Sequence, residues 1–189
     1  TKNDVEAIEE IDGVDIVEGT YETDGKLEIE NKEIITKVLC VNELNKPLLI
    51  EGQLPQNINE CVVEENFLTQ NNKSIGDTIT IDIENMQNDE GEDVEYLYNK
   101  ELKIVGTVKS PLYISNERGT SSLGDGRIDY YIYVSKDNIQ ARDTYTNIYV
   151  TLKDVTKYQT ASSKYEECVN EVKDKIEEIK EERENARHD

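Results

Sequence analysis

The stretch EIITKVLCVN, residues 33–42, holds Ile34, Ile35, Val38, Leu39, Cys40 and Val41 with little polar interruption. A strand with one wet face alternates apolar and polar residues, so this continuous run predicts a strand covered on both faces at the centre of a sheet. Working outward toward the N-terminus, VDIVEGTYETDGKLEIE (residues 14–30) reads as two strands turned at Asp24-Gly25, a dipeptide tolerant of left-handed backbone. Before it, Val5, Ile8 and Ile11 recur at helical spacing and meet Gly13 where a C-terminal cap falls, which predicts a short helix.

Outward in the other direction the character changes at Asn45. Pro47, Gly52 and Pro55 exclude a regular helix or a central strand and mark a boundary. Cys61 to Val63 then reads as a strand running into a short helix. Gly76-Asp77 turns the chain into a strand with Ile79, Ile81 and Ile83 on one side. Residues 84–99 lack apolar periodicity until Val94 and predict a solvated loop or hairpin tip. In the next strand Leu102, Ile104 and Val108 face inward, with Gly106 as a bend or bulge. Residues 115–128, SNERGTSSLGDGRI, have Leu123 as their only apolar anchor before Ile128 and predict the longest irregular loop, the best candidate contact with a partner. The candidate contact residues are Tyr113, Arg118, Ser121, Ser122 and Leu123. A strand over Tyr130 to Val134 follows, with Ser135 capping a short helix, then a strand in TNIYVTLKD. From about Lys157 a long helix carries the stripe Tyr165, Cys168, Val172, Ile176 and Ile179.

Composition removes whole classes of function. In 189 residues, 42 acidic side chains stand against 21 lysines and arginines, a formal net charge of -21, which repels phosphate backbones and excludes nucleic acid as a partner. No apolar run approaches the roughly 20 residues of a membrane helix. The one histidine, His188, removes Ser-His-Asp, Cys-His and two-histidine metal schemes. Cys40, Cys61 and Cys168 have no CxxC spacing, lie in apolar patterns and are expected to be shielded thiols. The acidic run Asp89 to Asp93 lacks the ligand alternation of a calcium loop, and Gly76-Asp77 and Gly124-Asp125-Gly126 are turn chemistry, so neither metal nor cofactor is expected. Tyr130, Tyr131, Tyr133, Tyr145 and Tyr149 read as sheet packing, with a recognition surface as the alternative. A chain that starts at Thr1, with Met86 its only methionine, and ends in a charged helical pattern reads as a segment of a longer protein.

The segments LIEGQLPQNINECVVEENFL, KSIGDTITI, LKIVGTVKSPLYIS, YYIYVSKDNI and TNIYVTLKD occur in that order ahead of the long helix. In order and spacing they resemble the extracytoplasmic domain of FtsX-like, MacB-type ABC transporter permeases over nearly the whole chain. The resemblance implies an α+β fold: a subdomain of βαβ units built from both chain ends, residues 1–46 plus 128–189, with an inserted, mostly β subdomain at 47–127 and a long C-terminal helix. It implies no catalysis by this chain. The ATPase is a separate cytoplasmic domain or subunit, membrane helices flank the domain, and the outer domain contacts a protein, peptide or lipid substrate or partner and moves with the ATP cycle. Acidity and the long polar helix are closer to permeases of Gram-positive cells. The alternative function is a stand-alone extracellular binding or adhesion module.

Overall fold

A computed structural model describes residues 1–87, 91–113, 118–140, 144–160 and 162–188. From the N-terminus the chain forms α1 (Lys2–Glu9), β1 (Val14–Thr20), β2 (Glu22–Ile29), β3 (Lys32–Cys40), β4 (Leu48–Gly52), β5 (Glu60–Glu64) and α2 (Glu65–Gln70). It continues through β6 (Thr78–Asp82), β7 (Met86–Gln87), β8 (Asp93–Val94), β9 (Glu101–Lys109), β10 (Tyr130–Val134), β11 (Asn147–Leu152) and α3 (Ser163–His188). Two units result, one from residues 1–19 with 143–189, the other from residues 20–142.

In the inserted unit, seven strands pair in the order β4-β9-β5-β10-β3-β2-β6, and β6 pairs again with β9. The sheet therefore closes on itself through six strands, with β4 added beside the C-terminal half of β9. Closure explains the patterning read from the sequence, because a ring has an inside that must be filled. The run in β3 is central as expected: it lies between β10, which it meets in parallel, and β2, which it meets antiparallel. Ile34, Ile35, Val38, Leu39 and Cys40 are all buried. Ile79, Ile81 and Ile83, and Leu102, Ile104 and Val108, are buried too. Gly106 sits at a crowded point, where a Cβ would lie 2.5 Å from the Glu51 carbonyl oxygen. The expected hairpin tip is formed by β7 and β8, paired antiparallel; Asp89 and Glu90 lie outside the described residues.

Three expectations about this region change. The chain divides at residues 19 and 142 rather than near 47 and 128, because β10 pairs with β3 on one side and with β5 on the other and so joins both groups of strands in one sheet. Pro47, Gly52 and Pro55 bracket an edge strand instead of a linker. Asp24-Gly25 is not a turn: both residues lie inside β2, where the Asp24 carboxylate pairs with Lys37 at 2.5 Å. Gly25 is needed there because a Cβ would meet the Ile81 side chain at 2.8 Å. The turn falls at Glu30-Asn31, both at positive φ (51° and 63°), between the paired Ile29 and Lys32. This is the two-residue geometry whose twist matches a hairpin.

The unit built from the chain ends contains α1, α3 and the two-stranded sheet of β1 and β11. Ile8, Ile11, Val14, Val17 and Val172 form its core, with Ile148, Val150, Leu152, Ile176 and Ile179 packed against them. The long helix starts at Ser163 rather than Lys157, since Val155–Lys157 form a 3-10 turn and the Ser162 hydroxyl accepts the Tyr165 N–H at 3.3 Å. Arg183 donates through Nε to the Asp4 carboxylate at 2.5 Å, fastening the helix beside the start of α1.

Cys40 and Cys61 are buried, whereas Cys168 is only half-buried, so the expected shielding fails for one of the three. Burial pushes the Cys61 thiol far up from its ordinary value. A maleimide added to the native chain is therefore expected to modify Cys168 at least about a hundredfold faster than Cys40 or Cys61, since thiolate fraction and access both set the rate. Mass spectrometry of timed digests checks this, and equal rates at the three sites would contradict it.

Candidate functional site

Every residue of β10 is buried, and the strand's alternation sends Tyr131 and Tyr133 to one face. They join Leu39, Val62, Val105 and Val108 in one cluster, and Tyr113 lies flat on Tyr131 with ring centroids 5.4 Å apart and planes 10° apart. Buried phenols need partners. The Ser110 N–H donates to the Tyr131 oxygen at 3.1 Å, Ser110 Oγ and the Tyr133 hydroxyl are 2.6 Å apart, and the Tyr131 hydroxyl reaches the Val108 carbonyl at 3.4 Å. Burial pushes the Tyr131 phenol above its ordinary value; the Ser110 N–H draws it back, the Glu64 charge raises it, and the Arg118 charge lowers it.

Those last two charges form a forked ion pair at the end of β5. Arg118 donates through Nε to Glu64 Oε2 at 3.0 Å and through a second nitrogen to Oε1. The two side chains are only 17% and 8% exposed, so the guanidinium plane is fixed by its partner. Of the five candidate contact residues, Tyr113 and Arg118 are thus gathered around Tyr131 and Glu64.

Ser121, Ser122 and Leu123 are placed elsewhere, in a tight hairpin bridged between Thr120 and Arg127. Inside it, the Ser121 N–H donates to the Gly126 carbonyl at 3.1 Å, and the Leu123 N–H to Ser121 Oγ at 3.1 Å. The hairpin rests on β3: Gly124 has φ +55° and a Cβ there would lie 2.8 Å from Ile35 Cγ1. Ser122 is exposed, while Leu123 and Ser121 are half-buried. The expected irregular loop is therefore ordered over its described part, and residues 115–117 lie outside the described residues. Sequence reasoning missed Glu64, which stands 54 residues from its partner with no local signal.

The end-built unit carries two hollows against α3. The larger, about 780 Å³, is lined by Ile16, Val150, Leu152, Val169 and Val172, and the smaller, about 320 Å³, by Ile8, Ile148, Ile179 and Lys180. Among the described residues no group of three or more His, Cys, Asp or Glu side chains is placed to hold a metal ion. Among the described residues no helix is long and apolar enough to cross a membrane.

The architecture is α+β, with a unit assembled from both chain ends around an insertion and a long C-terminal helix. A model of the MacB-like periplasmic core domain matches residues 1–167, and the chain belongs to that family. It is an extracytoplasmic domain of an ABC transporter permease, a class that works with an ATP-binding subunit. Two solved structures are similar. One is the extracellular domain of the noncanonical ABC-type transporter YknZ from Gram-positive bacteria, at 11% identity and TM-score 0.47, covering 83% of this chain and 75% of that one. The other is the periplasmic region of MacB from Actinobacillus actinomycetemcomitans, at 14% identity and TM-score 0.37, covering 82% and 80%. No curated protein matches the sequence.

Proposed function

We propose that this domain contacts an extracytoplasmic partner or substrate through Tyr113, Arg118, Ser121, Ser122 and Leu123, and that α3 couples it to ATP-driven movement of flanking membrane helices in a Gram-positive, FtsX-like permease. The observation that carries the coupling is the division of α3. Val172, Ile176 and Ile179 pack on the end-built core, whereas among the residues after Ile179 Lys180, Glu181 and Glu182 present charge. A helix rises about 1.5 Å per residue, so one packed through Val172, Ile176 and Ile179 and tied by Arg183 to Asp4 transmits displacement along its length. Rigidity supports contact at both places: a forked Arg118 pair with a stacked Tyr113, and a bonded hairpin, each lose little conformational entropy on binding.

The contact reading is tested in the intact transporter by Leu123→Asp combined with Ser122→Arg. Basal ATP hydrolysis is expected to stay within about twofold and export or partner activation to fall at least about tenfold, the effect of losing roughly 1.4 kcal/mol of binding. Unchanged output would place the contact elsewhere.

A further inference from the structure

β4 has a single strand neighbour, β9, and among the described residues its other edge is open. Its residues Leu48, Leu49 and Ile50 are 64%, 40% and 42% exposed. An apolar open edge is a pairing surface that monomeric proteins ordinarily guard with charge, proline or a bulge. Here Pro47 precedes the strand, Glu51 follows the apolar run and a register shift falls inside the strand, yet Leu48 to Ile50 stay exposed. The register shift against β9 falls between Leu49 and Glu51 and leaves Ile50 out of the ladder.

We propose that the open edge of β4 is a strand-addition site for an extended, positively charged segment of another polypeptide with apolar residues at alternate positions. An open edge presents backbone N–H and C=O groups in a row, and only an extended backbone satisfies such a row. The exposed leucines and isoleucine call for apolar side chains on the incoming strand. A net charge of -21 draws in a cationic segment and repels a second copy of the same chain. A five-residue strand also offers far less than the roughly 800 Å² per partner that a stable protein complex buries, so the edge suits a peptide rather than self-association. The site is on a different element from Tyr113 and Arg118 and from the hairpin of residues 120–127, and it holds whether or not α3 couples anything.

The test titrates the isotopically labelled chain with a short peptide of alternating lysine and valine. Backbone amide shifts are expected to concentrate at residues 47–53, with a Kd of about 100 µM at low salt. Three comparisons accompany it: alternating glutamate and valine, the lysine peptide N-methylated at every second residue, and the chain carrying Leu48→Lys with Ile50→Lys. Each is expected to weaken binding at least about tenfold, with the melting temperature of the double variant unchanged. A separate Leu49→Lys variant repeats the measurement if the double variant folds poorly. Shifts centred elsewhere, no binding at millimolar peptide, equal affinity for the glutamate peptide or indifference to N-methylation would overturn the proposal. So would a dimer in sedimentation equilibrium that the double variant dissolves, because the occupant would then be a second copy.

Discussion

Phe67→Ala is expected to lower the stability of the inserted unit by about 3–5 kcal/mol, the usual cost of emptying a buried aromatic site. Phe67 is fully buried, and its ring meets Tyr130 edge to face with centroids 5.1 Å apart and planes at 82°. It is the buried residue of α2, a helix of six residues too short to persist without packing. Its carbonyl accepts both the backbone N–H of Asn71 at 3.1 Å and the Asn71 side-chain amide at 2.9 Å, so the cavity would open beneath the bonds that end the helix. Tyr130 in turn donates to Gln70 Oε1 at 2.6 Å, a contact that needs the helix in place. Urea unfolding checks the value. Tyr130→Phe, which removes one hydrogen bond and keeps the ring contact, should cost only about 1 kcal/mol. A loss below about 1 kcal/mol for Phe67→Ala would mean that α2 is not held by this contact.

Most strands were readable because burial leaves a local pattern. The two-sided run at Ile34 to Cys40, the alternation of Ile79, Ile81 and Ile83, and the Tyr130 to Val134 run each report the faces their strand covers. What failed were features decided at a distance. Asp24-Gly25 has the local chemistry of a turn, yet the glycine is there because Ile81, far along the chain, leaves no room for a Cβ. The true turn uses Glu30, a residue type not favoured at positive φ, held there by strand pairing from Ile29↔Lys32 back to Glu22↔Leu39. The break near Asn45 looked like a domain boundary because an edge strand and a linker share prolines and glycines, and pairing partners are what tell them apart. On α3 Val172, Ile176 and Ile179 pack as the stripe predicts, Cys168 is only half-buried, and Val169 lines the larger hollow beside them. Of the candidate contact surface, the hairpin residues were visible as an unanchored glycine and serine segment. The Arg118–Glu64 fork was not, since each residue alone is one charge among many.

The other large effect concerns coupling. If α3 carries displacement, its stiffness after Ile179 matters more than its composition, because a break there spares the packed stripe of Val172, Ile176 and Ile179. The salt bridges Lys173–Glu177 and Lys175–Glu171 also lie before the break and stay intact. Arg183 lies beyond it, so its bond to Asp4 is a contact the insertion puts at risk. Arg183→Gln alone separates that contribution: it removes the ion pair and leaves the helix continuous, and it should cost output only modestly.

The direct measurement is a flexible Gly-Ser insertion after Ile179 in the intact transporter, with ATP hydrolysis and output followed in the same membranes. The account predicts hydrolysis within about twofold of the unmodified protein and output reduced at least about tenfold, a coupling loss of roughly 1.4 kcal/mol. Full output with the insertion in place, in a domain that still melts at its usual temperature, would contradict it and leave α3 as a passive tether.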